Sequence, residues 1–288
     1  MDLTAFADEV GATGQVTVTG LGTRVGPVAG IRCVRAPSGV EWIQADEMTV
    51  SCAAGTPVDE LAAALAEVGQ RVALPDGGTV GGALAVGASS IRRLGDGPVR
   101  ETLLQARYVG ADGAVVKAGG PTVKNVSGFD LCRLLVGSRG TLGFIGDVIL
   151  RTKPLPASSQ WFVGSRQADP FQLRRTLYHP VSILWDGTST WVLLEGDPAD
   201  IAEQALLGRL TATDGPPALP SAYRWSLPSR ELRCAPASVV GPFVAEIGVG
   251  IVHHCSPSPS RPADPVAEQL RRRIKGAFDP SGRLNPAG

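Results

Sequence analysis

Three glycine-rich stretches in the first half of the chain hold the residues best suited to chemistry. They are "TGLGTR" at residues 19–24, "PDGGTVGGALAVGASS" at residues 75–90, and "GGPTVKNVSGFDLCRLLVGSRGTLGFI" at residues 119–145. Glycine accepts positive φ and lets a ligand touch the main chain, and successive free N–H groups in such loops bind anions. Isolated glycines mostly serve turns, but three clusters in one half of the chain favour loops that hold a diphosphate.

The glycine clusters do not match the common nucleotide-binding motifs. No Gly-Lys-Ser/Thr sequence follows them, which excludes a Walker A loop. No GxGxxG joins a strand to a helix with an acidic residue about 20 positions later, which excludes a Rossmann fingerprint. A nucleotide must therefore be held in another way.

Short strands and one well-marked helix must position these loops. Residues 15–19 and 48–55 are rich in alternating β-branched residues and predict strands. The run "TPVDELAAALAEVG" predicts a helix with Thr56 as its N-cap and Pro57 at its first position. Further along, the Asp112-Gly113 pair predicts a hairpin turn.

A change in the sequence pattern near Pro154 and Pro156 predicts a domain boundary. Beyond it, strand and helix patterns alternate, and the last helix is predicted from Asp264 to Lys275. We therefore expect an α+β protein with a first domain over residues 1–155 and a smaller α+β domain over residues 156–288.

The composition describes a globular protein without a strong charge field. The chain has 288 residues, and its 27 Lys and Arg residues equal its 27 Asp and Glu residues. Neither nucleic acid nor an anionic membrane is therefore an expected partner. The first residues lack the pattern of a signal peptide, and no apolar run is long enough to span a bilayer. We predict a cytoplasmic protein with no transmembrane segment.

The cysteines and histidines do not form a metal-binding pattern. The five cysteines are widely spaced without a CxxC pair, so a disulfide framework, a zinc site and an iron–sulfur cluster are not expected. Most of them are expected to be small buried residues. The adjacent His253 and His254 would point to opposite faces of a strand and make a poor ligand pair. No metal is predicted.

The glycine-rich loops and the elements between them resemble a known family. The chain carries, in order, a GxGT loop, the helix "GTPVDELAAALAEVGQ", the loop "TVGGALA", the hairpin "GPVRETLLQARYVGADG" and the stretch from Gly119 to Ile145. This series is similar to the PCMH-type FAD-binding domain of the vanillyl-alcohol oxidase superfamily. More narrowly, it resembles the smaller FAD-binding subunits of bacterial glycolate oxidases, which are relatives of flavin-dependent D-lactate dehydrogenases.

The resemblance continues through "WSLP" and "FDPSGRLNP" and so covers nearly the whole chain. It implies a two-lobed PCMH-type FAD-binding domain over residues 1–155, with FAD between the lobes. A truncated α+β cap domain over residues 156–288 would follow, with a C-terminal tail that returns to the FAD domain. The family's N-terminal histidine is missing here, which implies that FAD is bound noncovalently.

The resemblance also implies a set of FAD-binding residues. Two loops would cradle the diphosphate from its two sides, and a later turn would lie along the adenosine. Lys124 and Asp130 would fall where the motif runs past the nucleotide, although a structural salt bridge or a helix cap is an open alternative for both. The full set is Gly20, Gly22, Thr23, Arg24, Thr79, Gly81, Gly82, Gly87, Ser89, Arg100, Lys124, Gly128, Asp130, Gly140, Leu142, Gly143, Ile145 and Asn285.

The chain also departs from the family's pattern. Glu101 stands where an aspartate is more typical, and the sequence between Asp76 and Thr79 is short. The chain lacks the His-rich segment by which the related dehydrogenases hold a metal and position a 2-hydroxy acid. His253 and His254 remain as weak candidates for a catalytic base, because such a residue is more often a core histidine with satisfied hydrogen bonds.

The implied function is that of a flavin subunit in a larger assembly. FAD would accept hydride from a small 2-hydroxy acid and pass electrons on, with a larger FAD subunit and an iron–sulfur subunit as partners. Contact with a membrane would occur only through those partners. One alternative is a structural or regulatory subunit that has lost FAD or catalysis, and another is a stand-alone reductase of the enolpyruvyl-glucosamine type.

Overall fold

The described residues of the chain form two compact units. The computed structural model describes residues 1–24, 28–121, 130–166, 168–220, 222–234, 239–259 and 264–286. The first unit comprises the described residues of Met1–Ser90, Pro98–Leu155 and Ala263–Gly288, and the second those of Ile91–Gly97 and Pro156–Pro262. These bounds differ from the expected domains of residues 1–155 and 156–288, because residues 91–97 belong to the second unit and the last segment to the first, to which the C-terminal tail was expected to return. The last helix packs Ile274 and Phe278 against the core of the first unit, which holds this segment there.

Both units contain helices and strands. In the described residues the α-helices are α1 (Thr4–Val10), α2 (Val58–Ala66), α3 (Val80–Val86), α4 (Arg93–Asp96), α5 (Leu131–Leu135), α6 (Pro170–Thr176), α7 (Pro198–Leu207), α8 (Ser229–Leu232) and α9 (Pro265–Phe278). The strands are β1 (Val16–Val18), β2 (Arg32–Val34), β3 (Val40–Gln44), β4 (Thr49–Ala53), β5 (Gln70–Val72), β6 (Leu103–Val109), β7 (Val115–Gly119), β8 (Phe144–Pro154), β9 (Ser158–Gly164), β10 (Ser182–Trp185), β11 (Thr190–Gly196), β12 (Leu210–Thr213), β13 (Tyr223–Ser226), β14 (Phe243–Glu246) and β15 (Ile251–His254).

The first unit contains a small and a large sheet. Strands β1 and β2 pair in parallel, and the large sheet has the order β3-β4-β8-β6-β7 with β5 added on β8. Phe6, Val16, Phe144 and Leu284 belong to the core beside the small sheet. A separate core joins the large sheet to α2, α3 and α5. The two sheets, each with its own core, position the loops that connect their strands.

The predicted helix after β4 forms, but Thr56 is not its N-cap. Helix α2 begins at Val58 with Pro57 at the cap position and no side-chain cap. The Thr56 hydroxyl instead accepts a hydrogen bond from the N–H of Gly39 and donates one to its carbonyl, at 2.9 and 3.1 Å. The Thr56 side chain therefore bonds to Gly39, 17 residues away in the chain, and does not cap the helix.

The second unit is built on one antiparallel sheet. Its strand order is β12-β9-β11-β10-β14-β15-β13. Apolar residues of α6 and α7, including Leu173 and Ile201, share a core with Ile183 and Val192 of the sheet. Helix α7 has Asp197 as its N-cap, which accepts a hydrogen bond from the N–H of Ala199 at 2.8 Å.

The cysteines divide into buried and exposed residues. Burial raises the pKa of Cys52 to about 12 and that of Cys132 to about 11, so both thiols stay protonated and inert. Cys33, Cys234 and Cys255 are exposed, so the expectation that most cysteines are buried was wrong. Within the described ranges, no helix is long and apolar enough to cross a membrane.

Candidate functional site

An open cleft lies in the first unit. Its walls come from the end of β1 and the loop after it, the start of α3, the turn before β8, and Asn285. The lining residues are Thr17, Val18, Thr19, Gly20, Leu21, Gly22, Thr23, Arg24, Ala36, Ala54, Gly55, Thr79, Gly81, Gly82, Ala85, Val86, Ser138, Arg139, Gly140, Gly143, Phe144, Ile145 and Asn285.

The charged residues that line the cleft among those described are both cations, Arg24 and Arg139. Arg24 donates through Nη2 to the carbonyls of Pro75, Asp76 and Gly77 at 3.1, 3.0 and 2.7 Å. Its Nη1 is buried and has no hydrogen-bond partner among the described residues. Burial lowers the pKa of Arg24 and Asp76 raises it, and an arginine remains charged in either case. The cleft therefore favours an anionic group.

The loop after β1 presents unused backbone donors to this cleft. The N–H of Thr19 bonds to the carbonyl of Val34 at 3.0 Å, which ends the pairing of the small sheet. The next four N–H groups, those of residues 20–23, have no acceptor among the described residues. Gly22 adopts a φ of 70°, a conformation that glycine enters without strain. This loop can direct main-chain N–H groups at an anion.

The loop that begins α3 behaves differently, because its donors are already used. The N–H groups of Val80 and Gly81 bond to the carbonyls of Thr56 and Ala54 at 2.9 and 2.7 Å. The N–H of Gly82 bonds to the hydroxyl of Thr79 at 3.1 Å. This segment therefore contributes glycine backbone without side chains to the cleft, and its N–H groups are not free to bind an anion. The expectation that backbone amides of both loops would cradle the diphosphate stays a prediction for the first loop, and in the second loop these three donors are already used.

The turn before β8 contributes a residue that sequence reasoning missed. Arg139 is exposed and takes a φ of 52°, which is uncommon for a residue other than glycine. Its N–H bonds to the carbonyl of Ala85 at 2.8 Å and its own carbonyl accepts from Asn285, which together fix this backbone. A cation between the glycines of "GSRGTLG" is the signal that could have found it.

The structure brings most of the predicted site residues to one cleft. Their roles toward a ligand stay predictions. Those that line the cleft are Gly20, Gly22, Thr23, Arg24, Thr79, Gly81, Gly82, Gly140, Gly143, Ile145 and Asn285. Lys124 and Gly128 lie outside the described residues.

The remaining predicted residues do not line the cleft. Gly87 ends α3, and Ser89 accepts a hydrogen bond from the N–H of Val99 at 3.0 Å. Leu142 belongs to the core of the large sheet, and Arg100 is exposed in a short 3-10 turn.

Asp130 caps helix α5 and does not line the cleft. It accepts a hydrogen bond from the N–H of Arg133 and forms an ion pair with that side chain at 2.8 Å. For Asp130, the structure shows the salt bridge and helix cap that the sequence left open.

In the second unit the two adjacent histidines have different surroundings, as predicted for a strand. His253 Nε2 lies 2.8 Å from Oε1 of the buried Glu246, which also accepts from Arg224 at 3.3 Å. His254 Nδ1 accepts from the N–H of Ser256 at 2.8 Å. His254 Nε2 therefore carries the proton that is donated to the carbonyl of Val240 at 3.0 Å. Both ring nitrogens of His254 are used, which leaves His253 as the stronger candidate for proton transfer.

We expect His254→Ala to lower the free energy of unfolding of the second unit by about 2–4 kcal/mol. The change removes a ring that packs 4.3 Å from Trp225 and leaves two backbone groups unpaired. Urea unfolding followed by tryptophan fluorescence measures it. The control His179→Asn alters an exposed position with a φ of 56°, which asparagine tolerates. An unfolding midpoint of His254→Ala equal to that of the control would contradict the structural role.

No group of three or more metal-ligating side chains comes together within the part of the chain that the structure describes. The cations and main-chain donors of the cleft are therefore the groups that could act on a ligand.

Sequence comparison finds one matching family model and several related proteins. A family model described as an FAD binding domain matches residues 12–119. Glycolate oxidase subunit GlcE of Escherichia coli is 30% identical over 197 residues, which cover 63% of this chain and 55% of the relative. D-lactate dehydrogenase of Archaeoglobus fulgidus is 37% identical over 39% of this chain and 26% of its own length. Glycolate oxidase subunit GlcD of Bacillus subtilis is 35% identical over 28% of this chain and 17% of its own.

These matches are partial on both sides. The chain spans about half the length of the Escherichia coli relative and about a quarter or less of the other two. Among solved structures, an alkyldihydroxyacetonephosphate synthase matches with a TM-score of 0.68 and 13% identity over 98% of this chain and 72% of that one. A Phl p 4 variant described as a glucose oxidase matches with a TM-score of 0.52 and 15% identity over 68% and 44% of the two chains. These similarities show a shared fold.

Proposed function

We propose, on the premise that residues 12–119 belong to a family of FAD binding domains, that this chain is the FAD-binding subunit of a complex that oxidises small 2-hydroxy acids. The names of the relatives from Escherichia coli and Bacillus subtilis are those of glycolate oxidase subunits, and another relative is a D-lactate dehydrogenase. By analogy, a larger FAD subunit and an iron–sulfur subunit would complete the assembly. A cytoplasmic location is part of the same proposal.

The observation that carries the proposal is the charge of the cleft. FAD brings two linked phosphates, and the described charged residues around this cleft are two arginines. One guanidinium nitrogen of Arg24 is buried without a partner, and four successive N–H groups of the loop after β1 have no acceptor among the described residues. Each of these groups would gain a hydrogen bond from a diphosphate. The residues present therefore fit the cofactor.

The lining of the cleft also supports noncovalent binding. Its described residues include no histidine, cysteine or tyrosine that could form a bond to the flavin. Gly82 lies at the start of α3 and has no side chain, so the cofactor could approach the backbone there closely. Arg24, Arg139 and the loop after β1 would bind and orient the diphosphate. The flavin, when bound, supplies the hydride acceptor and the route for onward electron transfer.

We expect the purified chain, as isolated or after reconstitution with FAD, to show the visible absorption bands of a protein-bound flavin. Acid precipitation should release the flavin into the supernatant, because no covalent bond is proposed. Flavin that stays in the acid pellet would contradict noncovalent binding. A colourless protein that also fails to bind added FAD would instead support the alternative of a structural subunit without cofactor.

A further inference from the structure

We infer that Lys275 and Arg283, neither of which lines the cleft, set the affinity for FAD by holding the segment Asp279–Asn285 in place. The inference rests on the proposed function, because FAD is the ligand that it concerns. It assigns positioning roles to two side chains outside the cofactor cleft. We call the segment Asp279–Asn285 the clasp.

The clasp ends in a side chain that joins two walls of the cleft. Asn285 Oδ1 accepts a hydrogen bond from the hydroxyl of Thr17 on β1 at 2.9 Å. Its Nδ2 donates to the carbonyl of Arg139 at 2.5 Å, in the turn before β8. Its backbone N–H bonds to the carbonyl of Val16 at 2.9 Å, which adds the clasp beside β1. The spacing of these walls depends on where Asn285 is held.

Arg283 fixes the clasp from one side. Its side chain is almost fully buried, and all five of its N–H donors bond to backbone carbonyls, at 2.7 to 3.0 Å. The acceptors are Val10, Gly11, Thr13, Gly14 and Ala111. Four of them belong to the end of α1 and the loop before β1, and the fifth to the turn between β6 and β7. Arg283 therefore locks the clasp to the base of β1.

Lys275 fixes the clasp from the other side. Its Nζ donates to Asp279 Oδ2 at 2.6 Å, to the carbonyl of Leu284 at 3.0 Å and to the carbonyl of Thr141 at 2.7 Å. Thr141 is in the turn that carries Arg139, so one ammonium group ties the clasp to a wall of the cleft. These three hydrogen bonds use every donor of the lysine.

Asp279 keeps this arrangement charged at neutral pH. Burial raises the pKa of Asp279. The hydrogen bonds from Lys275 and from the N–H groups of Leu284 and Arg283 lower this pKa by more, so that it lies below its ordinary value. Its carboxylate accepts from the N–H groups of Arg283 and Leu284 at 3.1 and 2.8 Å. The clasp is therefore organised before a ligand arrives, and a pre-organised site spends less binding free energy on ordering its own groups.

Lys275→Met tests the inference. The variant keeps a long apolar stem but loses the three hydrogen bonds, so FAD must order the clasp and the turn when it binds. We expect the dissociation constant for FAD to rise about tenfold or more, with a faster release of FAD. Arg272→Met on the same helix is the matched control, since its side chain is 81% exposed and far less constrained. Its dissociation constant should stay within about twofold of the wild type.

The measurement is flavin fluorescence on binding, at a temperature where circular dichroism shows each apoprotein folded. A purely structural role for Lys275 would lower the unfolding temperature and leave the dissociation constant of the folded protein unchanged, which would overturn the inference. Lys275→Arg retains the charge and should recover part of the affinity, and it replaces Lys275→Met if that variant fails to fold. A wild-type chain that binds no FAD would overturn the proposed function as well, whereas equal binding by wild type and Lys275→Met would overturn only the inference.

Discussion

The purified chain alone is expected not to oxidise glycolate or D-lactate at an appreciable rate with an artificial dye as electron acceptor. Activity should appear when a larger flavin subunit and an iron–sulfur subunit are added. Oxidation of a 2-hydroxy acid needs a cation for the carboxylate, a base for the hydroxyl proton and a hydride acceptor in one pocket. The described lining of the cleft offers two arginines but no histidine or carboxylate to act as base.

The size of this effect follows from the missing base. A positioned general base contributes about 100- to 10,000-fold to a rate, so we expect a difference of that order between the chain alone and the assembly. In the second unit, both ring nitrogens of His254 are used by the backbone. The five cysteines lack the spacing of an iron–sulfur site for onward transfer.

The decisive experiment is steady-state turnover by the single chain reconstituted with FAD, with and without the partner subunits. His253 is the strongest candidate for a base in this chain, because its Nε2 lies 2.8 Å from Oε1 of Glu246, which orients the ring. Oxidation of either acid by the single chain, abolished in a folded His253→Ala variant, would show that this chain contains a working substrate site.

Gly82→Val is expected to reduce FAD binding far more than folding. Gly82 lies in the first turn of α3 and lines the cleft. A Cβ built there would lie 3.0 Å from the Thr79 hydroxyl, which would have to shift by a few tenths of an ångström, and it would meet no other atom within 4 Å outside its own helical turn. Gly82 has no positive φ, and the main obstacle to valine is therefore the ligand rather than the backbone.

Forcing extra carbon atoms into an occupied site costs about 1–3 kcal/mol, or about 5- to 150-fold in the dissociation constant for FAD. Titration with FAD and thermal unfolding of the apoprotein measure the two effects separately. Gly276→Val provides a matched control, because Gly276 is in α9 and a Cβ added there would meet no atom within 4 Å. Full flavin occupancy of Gly82→Val at wild-type affinity would mean that this segment does not contact the cofactor.

Local sequence patterns predicted the elements that surround the cleft. The hairpin turn at Asp112-Gly113 forms between β6 and β7, and the last helix, predicted from Asp264 to Lys275, forms over Pro265–Phe278 with Asp264 as its cap. These features depend on residues within about four positions of one another, such as a carboxylate and the N–H groups of the next turn. The resemblance to an FAD-binding family then named 11 of the 23 residues that line the cleft, because the spacing of the glycines can be read from the sequence.

The tertiary structure alone decided which of these residues have free hydrogen-bonding groups. The N–H of Gly81 is taken by Ala54, and the donors of Arg283 are taken by carbonyls more than 170 positions away in the chain. The exposed Arg139 reaches the cleft only because Ala85 and Asn285 hold its backbone in the left-handed region. Such partners meet through packing of distant segments, and a hydrogen bond leaves no periodic signal in the sequence. Sequence therefore determined where a diphosphate could be held, and the fold determined which groups remain available to hold it.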